Sequence, residues 1–427
     1  MMESADRKNC VSTVLLLVVS GVLLSVIQAP ADAWFLAWVA VVPFIMASVG
    51  GASTKRLLLS AYVVGAVYWI VNTYWLIHVT LGGWLGLGLY LGLYWPVMAY
   101  ALNRCSLRKI PLWLSVPVIF TGAEAFQGWV FTGFAWRYLA HSQYMNPRMI
   151  QIADIFGAAG VSFLIAMVNG FAADILTRVL MTRRFSPGSL VRLIAALALV
   201  GAAAAYGTFR INESDQYIKP GPVVAAVQTN VLQRVKDSGV AGHAILDEML
   251  RYSREAAQAN PALIVWPETM VTGYLNPELL AHLPQDHEMR QFDRAIRDFA
   301  GEGHYVLVGA LAATPAIENG HIVADEKFNS AFLYLPDGTQ SPLRYDKMHL
   351  VPFGEFVPFR QSIPWLYRLL LRLTPHDYEY NLTPGVSPTH FEIRAMDRTY
   401  RFGVIICYEG TVPQIARSLV YGQDGHK

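Results

Sequence analysis

The chain has 427 residues, 54% of them hydrophobic and only 15% charged, with a formal net charge of +2. A soluble domain carries about 25% charged residues, so the composition excludes a wholly soluble protein, and so small a net charge offers no basis for nucleic-acid binding. Three cysteines, Cys10, Cys105 and Cys407, are too few for a disulfide framework.

Residues 11–209 hold nearly all the long apolar runs. A membrane span takes about 20 mostly apolar residues. Runs at 11–28, 33–50, 57–77, 82–102, 111–131, 157–177 and 190–209 predict seven spans. The first run follows Arg7 and Lys8 and precedes Ala31-Asp32-Ala33, as in a cleaved signal peptide. Its length and the second run close behind favour a retained span. Lys55, Arg56, Arg104, Arg108, Lys109, Arg178, Arg183, Arg184 and Arg192 fall in alternate connections, on the same side as Arg7 and Lys8. The basic residues therefore predict a cytoplasmic N-terminus and, after an odd number of spans, a second half outside the cytoplasm. Glu124 lies toward the outer end of the fifth run. An ionisable group there is either functional or hydrogen-bonded to a neighbouring helix. Trp129, Phe131, Phe134 and Trp136 suit an interfacial belt or a ligand groove equally.

The polar stretch Asn212–Pro222 separates a bundle over 1–211 from a second domain over 222–427. Strands are predicted at Val223–Gln228, Ala262–Trp266, Tyr305–Leu311, Phe328–Leu335 and Phe402–Ile406, and helices at 241–259 and 287–301. That alternation is an α/β pattern.

Three residues far apart there belong to one kind of chemistry. Glu268 follows the strand ALIVW, and the carboxyl end of a strand is where open α/β sheets place their sites. Cys407 ends the apolar run FGVII, at a turn into a helix, where following backbone N–H groups are close to a nucleophile. Lys347 lies in a loop region rich in Pro and aromatic residues. A carboxylate can take the thiol proton, and an ammonium can favour the thiolate and the oxyanion of a tetrahedral intermediate. Taken singly, each residue has a bland reading: a small core Cys and two solvated charges. The eleven histidines show no metal-ligand spacing.

The wording of the strings narrows this. VWPET, YDKMHLVPFGEFVP and GVIICYE resemble the motifs of the nitrilase superfamily, and within it the chain resembles the apolipoprotein N-acyltransferases. The likeness extends to AVQTN, FNSAFLY and the TGFAW segment of the bundle. It implies a multi-pass α-helical membrane bundle followed by an αββα sandwich domain. It also implies a Glu268–Lys347–Cys407 triad, with Glu355, Tyr408 and Glu409 lining the substrate site and neither cofactor nor metal. The implied reaction moves an acyl chain from a phospholipid such as phosphatidylethanolamine, through a Cys407 thioester, to the N-terminal amine of a diacylglyceryl-cysteine lipoprotein. The implied location is the bacterial inner membrane, with the catalytic domain outside the cytoplasm.

The segment WLYRLLLRL at Trp365–Leu373, with Arg360, Arg368 and Arg372, reads as a helix that dips into the outer leaflet or packs on the sheet. The chain departs from the family pattern in several places. Gln127 stands where an Arg is usual, Ala135 where a Pro is usual, and Asp237 near an expected Trp. Only 20 residues follow Cys407, a helix at Val412–Tyr421 and the tail GQDGHK. The domain is therefore expected to be incomplete at its C-terminus, lacking the family's last strands and final span and leaving a sheet edge open. Two other readings stand beside acyl transfer: an amidase-like hydrolase using the same triad, and an inactive truncated paralogue that only binds.

Overall fold

The structure, a computed structural model, describes residues 2–78, 80–184, 186–232, 235–236, 241–318, 321–372 and 381–421, without the side chains of 2–11, 132, 181–182, 318 and 321–322. Asp237, Leu373 and the tail at 422–427 fall outside the described residues, as do the side chains of Arg7, Lys8 and Cys10. The chain divides into two compact units. One is Met1–Ile218 with Arg368–Asp377, the other Lys219–Tyr367 with Tyr378–Lys427.

The first unit is helical: α1 (Met2–Val26), α2 (Val42–Val49), α3 (Thr54–Asn72), α4 (Leu81–Gly92), α5 (Tyr94–Leu107), α6 (Leu112–Gln127), α7 (Ala153–Thr182, bent at Gly157) and α8 (Pro187–Ser214). Its outer surface is apolar. On α3 the exposed residues Leu59, Val63, Val67 and Val71 recur every fourth position and form one lipid-facing stripe. The opposite face of α3 buries Leu57, Ala61 and Tyr68 in the bundle core with Leu17, Phe44 and Trp95.

Among the described residues, four helical stretches are long and apolar enough to cross a membrane: Thr54–Asn72, Leu81–Leu107, Ala153–Leu180 and Pro187–Ser214. The other three of the seven predicted spans are helical too, and two of them, 33–50 and 111–131, hold helices that are broken or short. The 33–50 segment is a 3-10 turn, Trp34–Trp38, followed by α2. Pro43 lies in the first turn of α2, where its ring is tolerated; deeper in a helix it would clash with the carbonyl four residues back. Asn169 holds the break, accepting from the Val41 N–H at 2.9 Å and donating to the Ala37 carbonyl at 2.9 Å. The 16 residues of α6 extend about 24 Å, short of the hydrocarbon thickness of about 30 Å. Helix α1 runs 25 residues, Met2–Val26, and packs into the bundle through Leu17.

The second unit is an α/β domain. Its main sheet has the order β1 (Val224–Ala226), β2 (Leu263–Val265), β4 (Val306–Glu318), β5 (His321–Tyr334), β6 (Gln340–Asp346), with β3 (Val271–Tyr274) also paired to β4. Strands β1, β2 and β4 run parallel, and β4, β5 and β6 antiparallel. Side chains alternate across this sheet with the two-residue period of a strand. Ile264, Val306, Val308 and Phe332 meet the apolar faces of α9 (Gly242–Ala257) and α10 (Glu288–Ala300), including Ile245, Met249, Phe292, Ile296 and Phe299. Their neighbours Leu263, Leu307 and Leu333 face the other way, onto Phe391, Ile393 and Ile406.

Those last residues belong to or follow a hairpin, β7 (His390–Ala395) and β8 (Arg398–Gly403), turned at Met396 and Asp397 with φ of 52° and 56°. Two consecutive positive φ values match the twist that a two-residue hairpin needs. The predicted strand Phe402–Ile406 thus stops pairing at Gly403. Helix α12 (Pro413–Tyr421) covers β8, and His390 meets the Leu419 carbonyl at 2.7 Å. The layers are helix, sheet, sheet, helix, the second sheet having two strands among the described residues.

Candidate active site

Strand β2 ends at Val265, and Glu268 follows three residues later, above the carboxyl edge of the sheet. Gly309 on β4 makes that position possible. A Cβ there would meet the Pro267 carbonyl oxygen at 2.4 Å and the Glu268 Cα at 2.8 Å. Thr269 then takes φ of 48°, a left-handed conformation that turns the chain away.

Lys347 leaves the end of β6. Its backbone N–H donates to the Asn329 carbonyl at 2.8 Å, and its own carbonyl accepts from the Gly385 N–H at 2.8 Å. Its side chain is 1% exposed, so its charge has to be paired within the protein. Nζ lies 2.8 Å from Glu355 Oε1 and 3.4 Å from Glu268 Oε1. Asn329 ties the same two carboxylates from another side, donating from Nδ2 to Glu268 at 2.6 Å and to Glu355 at 3.0 Å. Glu355 is fixed in turn by the Val351 N–H, 2.8 Å from Oε2.

Cys407 is exposed at the start of a short 3-10 turn, Cys407–Thr411, with φ of 50°. A left-handed conformation is rare for a residue with a side chain and clusters at functional sites. Partial burial pushes the Cys407 thiol up, the Glu268 charge adds to the rise, and the Lys347 ammonium pulls it down; the net shift is upward. The resting group is therefore a thiol that needs a base. Burial by itself presses Lys347 down, but Glu355 and then Glu268 outweigh it and hold the ammonium above its usual range. Glu268, Lys347, Glu355 and Cys407 thus interact as one electrostatic cluster.

Tyr408 and Glu409, expected to line the substrate site, have a different place. Glu409 is fully buried and accepts from the Met348 N–H at 2.7 Å, the His349 N–H at 3.1 Å, the Ile406 N–H at 2.9 Å and the Tyr345 hydroxyl at 2.8 Å. It pins the Lys347 loop to the Cys407 turn and has no open face for a ligand. Burial, then the Glu409 charge, raises Tyr345, which stays a protonated donor. Tyr408 is buried and stacks on His349 with ring centroids 5.6 Å apart.

Two participants were not singled out by sequence. Asn329 is a lone amide inside the apolar strand FNSAFLY, and that interruption was the available signal. Lys236 donates to the Glu268 carbonyl at 3.1 Å and to Thr269 Oγ1 at 3.0 Å. No local pattern distinguishes it from a surface lysine. Among the described residues, no group of three or more His, Cys, Asp or Glu side chains is arranged to hold a metal ion.

Residues 20–171 match the family model of the apolipoprotein N-acyltransferase N-terminal domain, and residues 223–425 that of carbon-nitrogen hydrolases. An apolipoprotein N-acyltransferase of Geobacter metallireducens is 32% identical over 425 residues, which is 95% of this chain and 74% of that protein. The chain belongs to the apolipoprotein N-acyltransferase family. A second member, from Haemophilus ducreyi, is 27% identical over 89% of this chain and 70% of its own length. Among solved structures, an amidase from a Nesterenkonia species aligns over 49% of this chain and 64% of its own, at 14% identity and a TM-score of 0.31, too slight a likeness to carry weight here. Family membership makes the protein a membrane acyltransferase of the nitrilase superfamily, and the amidase-like reading is not favoured.

Proposed function

We propose that the protein transfers an acyl chain from a membrane phospholipid to the N-terminal amine of a diacylglyceryl-cysteine lipoprotein, with Glu268, Lys347 and Cys407 as the catalytic residues. The bundle at 1–211 anchors the enzyme in the inner membrane, and the domain at 222–427 works on the outer side. The observation that carries this reading is the pairing of one buried ammonium, Lys347, with Glu268 and Glu355, beside a thiol on a left-handed turn.

The chemistry follows from that cluster. Glu268 takes the Cys407 proton, and the sulfur attacks the ester carbonyl. Lys347 stabilises the oxyanion. The carbon–oxygen bond breaks, and the lysophospholipid leaves with the proton held by Glu268. The lipoprotein amine then attacks the thioester, the carbon–sulfur bond breaks, and Glu268 accepts the amine proton before returning it to the thiolate. Glu355 keeps Lys347 charged and oriented throughout, and Glu409 fixes the distance between the lysine loop and the nucleophile turn.

The test is incubation of the purified chain with phosphatidylethanolamine carrying an isotope-labelled acyl chain, followed by peptide mass spectrometry. The expected result is the labelled acyl mass on Cys407, chased onto a diacylglyceryl-cysteine peptide with a free amine. A labelled fatty acid released without a Cys407 adduct or peptide product would contradict the reading.

A further inference from the structure

The bundle holds a second polar site that the acyl-transfer chemistry does not use. A cavity of about 300 Å³ is lined by Gln28, Asn72, Thr73, Trp75, Phe134, Trp136, Arg137 and His141. All lie within the first unit.

Two lining residues, Arg137 and His141, supply donors. The Arg137 guanidinium has, among the described residues, no carboxylate partner; it reaches Tyr68 OH at 3.5 Å and the Ser25 carbonyl at 3.4 Å. Two bonds at the long limit leave most of its five N–H groups for a ligand. Residue 137 sits at φ of 63°, a strained backbone for an arginine. His141 Nδ1 accepts from the Tyr138 N–H at 3.3 Å, and burial holds the ring below its usual range, so the proton of the neutral ring is on Nε2. A guanidinium in a membrane bundle with no carboxylate at ion-pair distance among the described residues suits an anion.

Other lining residues supply acceptors and aromatic faces. Gln28 donates to the Tyr138 carbonyl at 3.0 Å, and Asn72 donates to Ser25 Oγ and the Tyr68 carbonyl at 2.8 Å each. Asn72 has both amide hydrogens engaged and Gln28 has one, and each side-chain oxygen can accept. Trp75 and Trp136 stand with ring centroids 5.0 Å apart, and Phe134 is 5.4 Å from Trp136. Aromatic faces beside carbonyl acceptors suit an alkylammonium.

We propose that this cavity binds the headgroup of a zwitterionic phospholipid, its phosphodiester on Arg137 and His141 and its ammonium against Trp75, Trp136 and the oxygens of Gln28 and Asn72. Gln127 supports the site from below, donating to the Phe134 and Trp136 carbonyls at 2.9 and 3.0 Å. The proposal rests on the membrane reading but not on transfer through Cys407, so either can fail alone.

The experiment titrates the full chain in detergent with a short-chain, ether-linked phosphoethanolamine lipid, which has no ester for a thiol to attack. Comparators are the matching phosphoglycerol lipid and inorganic phosphate, with binding read by calorimetry. Arg137→Gln should weaken the ethanolamine lipid by about tenfold or more, as expected for losing bonds from a charged donor. Trp136→Leu should weaken the ethanolamine lipid and leave the glycerol lipid nearly unchanged. Alkylation of Cys407 should be the same in both variants, which a general loss of fold would not allow. If Arg137→Gln does not fold, His141→Phe keeps the stack on Tyr138 while removing Nε2–H, and a severalfold loss is expected. Unchanged affinity in the folded variants, or inorganic phosphate binding as tightly as the lipid, would overturn the proposal.

Discussion

Two carboxylate sites lie close together in the α/β domain and do opposite things. Around Glu268 and Glu355, two acids share one buried ammonium and an amide, next to an exposed thiol. Around Glu409, a single acid is saturated by three backbone N–H groups and a phenol and is sealed from solvent. A buried charge with every lone pair engaged is a fixed point, because moving it leaves donors unsatisfied. A carboxylate that shares its partners and touches a titratable thiol can exchange a proton. The difference separates the chemistry from the frame that holds it.

Substitutions on the two sides should therefore fail in different ways. The largest effect is expected at Cys407→Ser and Glu268→Gln, each lowering acyl transfer by roughly a thousandfold or more while the fold is kept. Rates on a synthetic lipoprotein peptide check this alongside melting temperatures. Glu409→Gln should act first on stability. An amide offers its NH2 to a pocket lined with donors, so a loss of about 3 kcal/mol is expected, visible as a lower denaturation midpoint. Gly309→Ala pushes a methyl group into the Pro267–Glu268 backbone and should lose about 1–3 kcal/mol, together with part of the activity. The smallest effect is expected on α11 (Pro364–Leu371), where Trp365 is 65% exposed and Leu369 is 49% exposed. The double change Trp365→Ser, Leu369→Ser should impair turnover of bilayer lipid severalfold and leave reaction of Cys407 with a small thiol reagent intact. Equal losses in both assays would remove the membrane contact from the account.

Much of this was legible in the sequence where a local pattern carries its own cause. The helices at 241–259 and 287–301 were visible because apolar residues recur with helical period, and they formed at Gly242–Ala257 and Glu288–Ala300. Strands β2 and β5 were visible as β-branched and aromatic runs. The cluster of Glu268, Lys347 and Glu355 came from strings whose spacing is long and whose meeting depends on sheet order. The resemblance, rather than any local pattern, gave Glu409 a place lining the substrate site. In the 3-10 turn, Cys407 takes a left-handed conformation and is exposed, while Glu409 is fully buried. Hydropathy records the apolar run at 33–50 but neither Pro43 nor the 3-10 turn that interrupts its helix. Asn329 and Lys236 were missed because their importance lies in what the fold sets against them.

The account depends on Glu268 and Lys347 acting on the Cys407 thiol with opposite sign, and the pH profile of Cys407 alkylation measures this directly. In the native chain the reactive thiolate should be gained only above the usual thiol range, since burial and Glu268 hold the proton on. Glu268→Gln should move the midpoint down, and Lys347→Met should move it up. Three superimposable profiles, or shifts in the reverse order, would contradict the account.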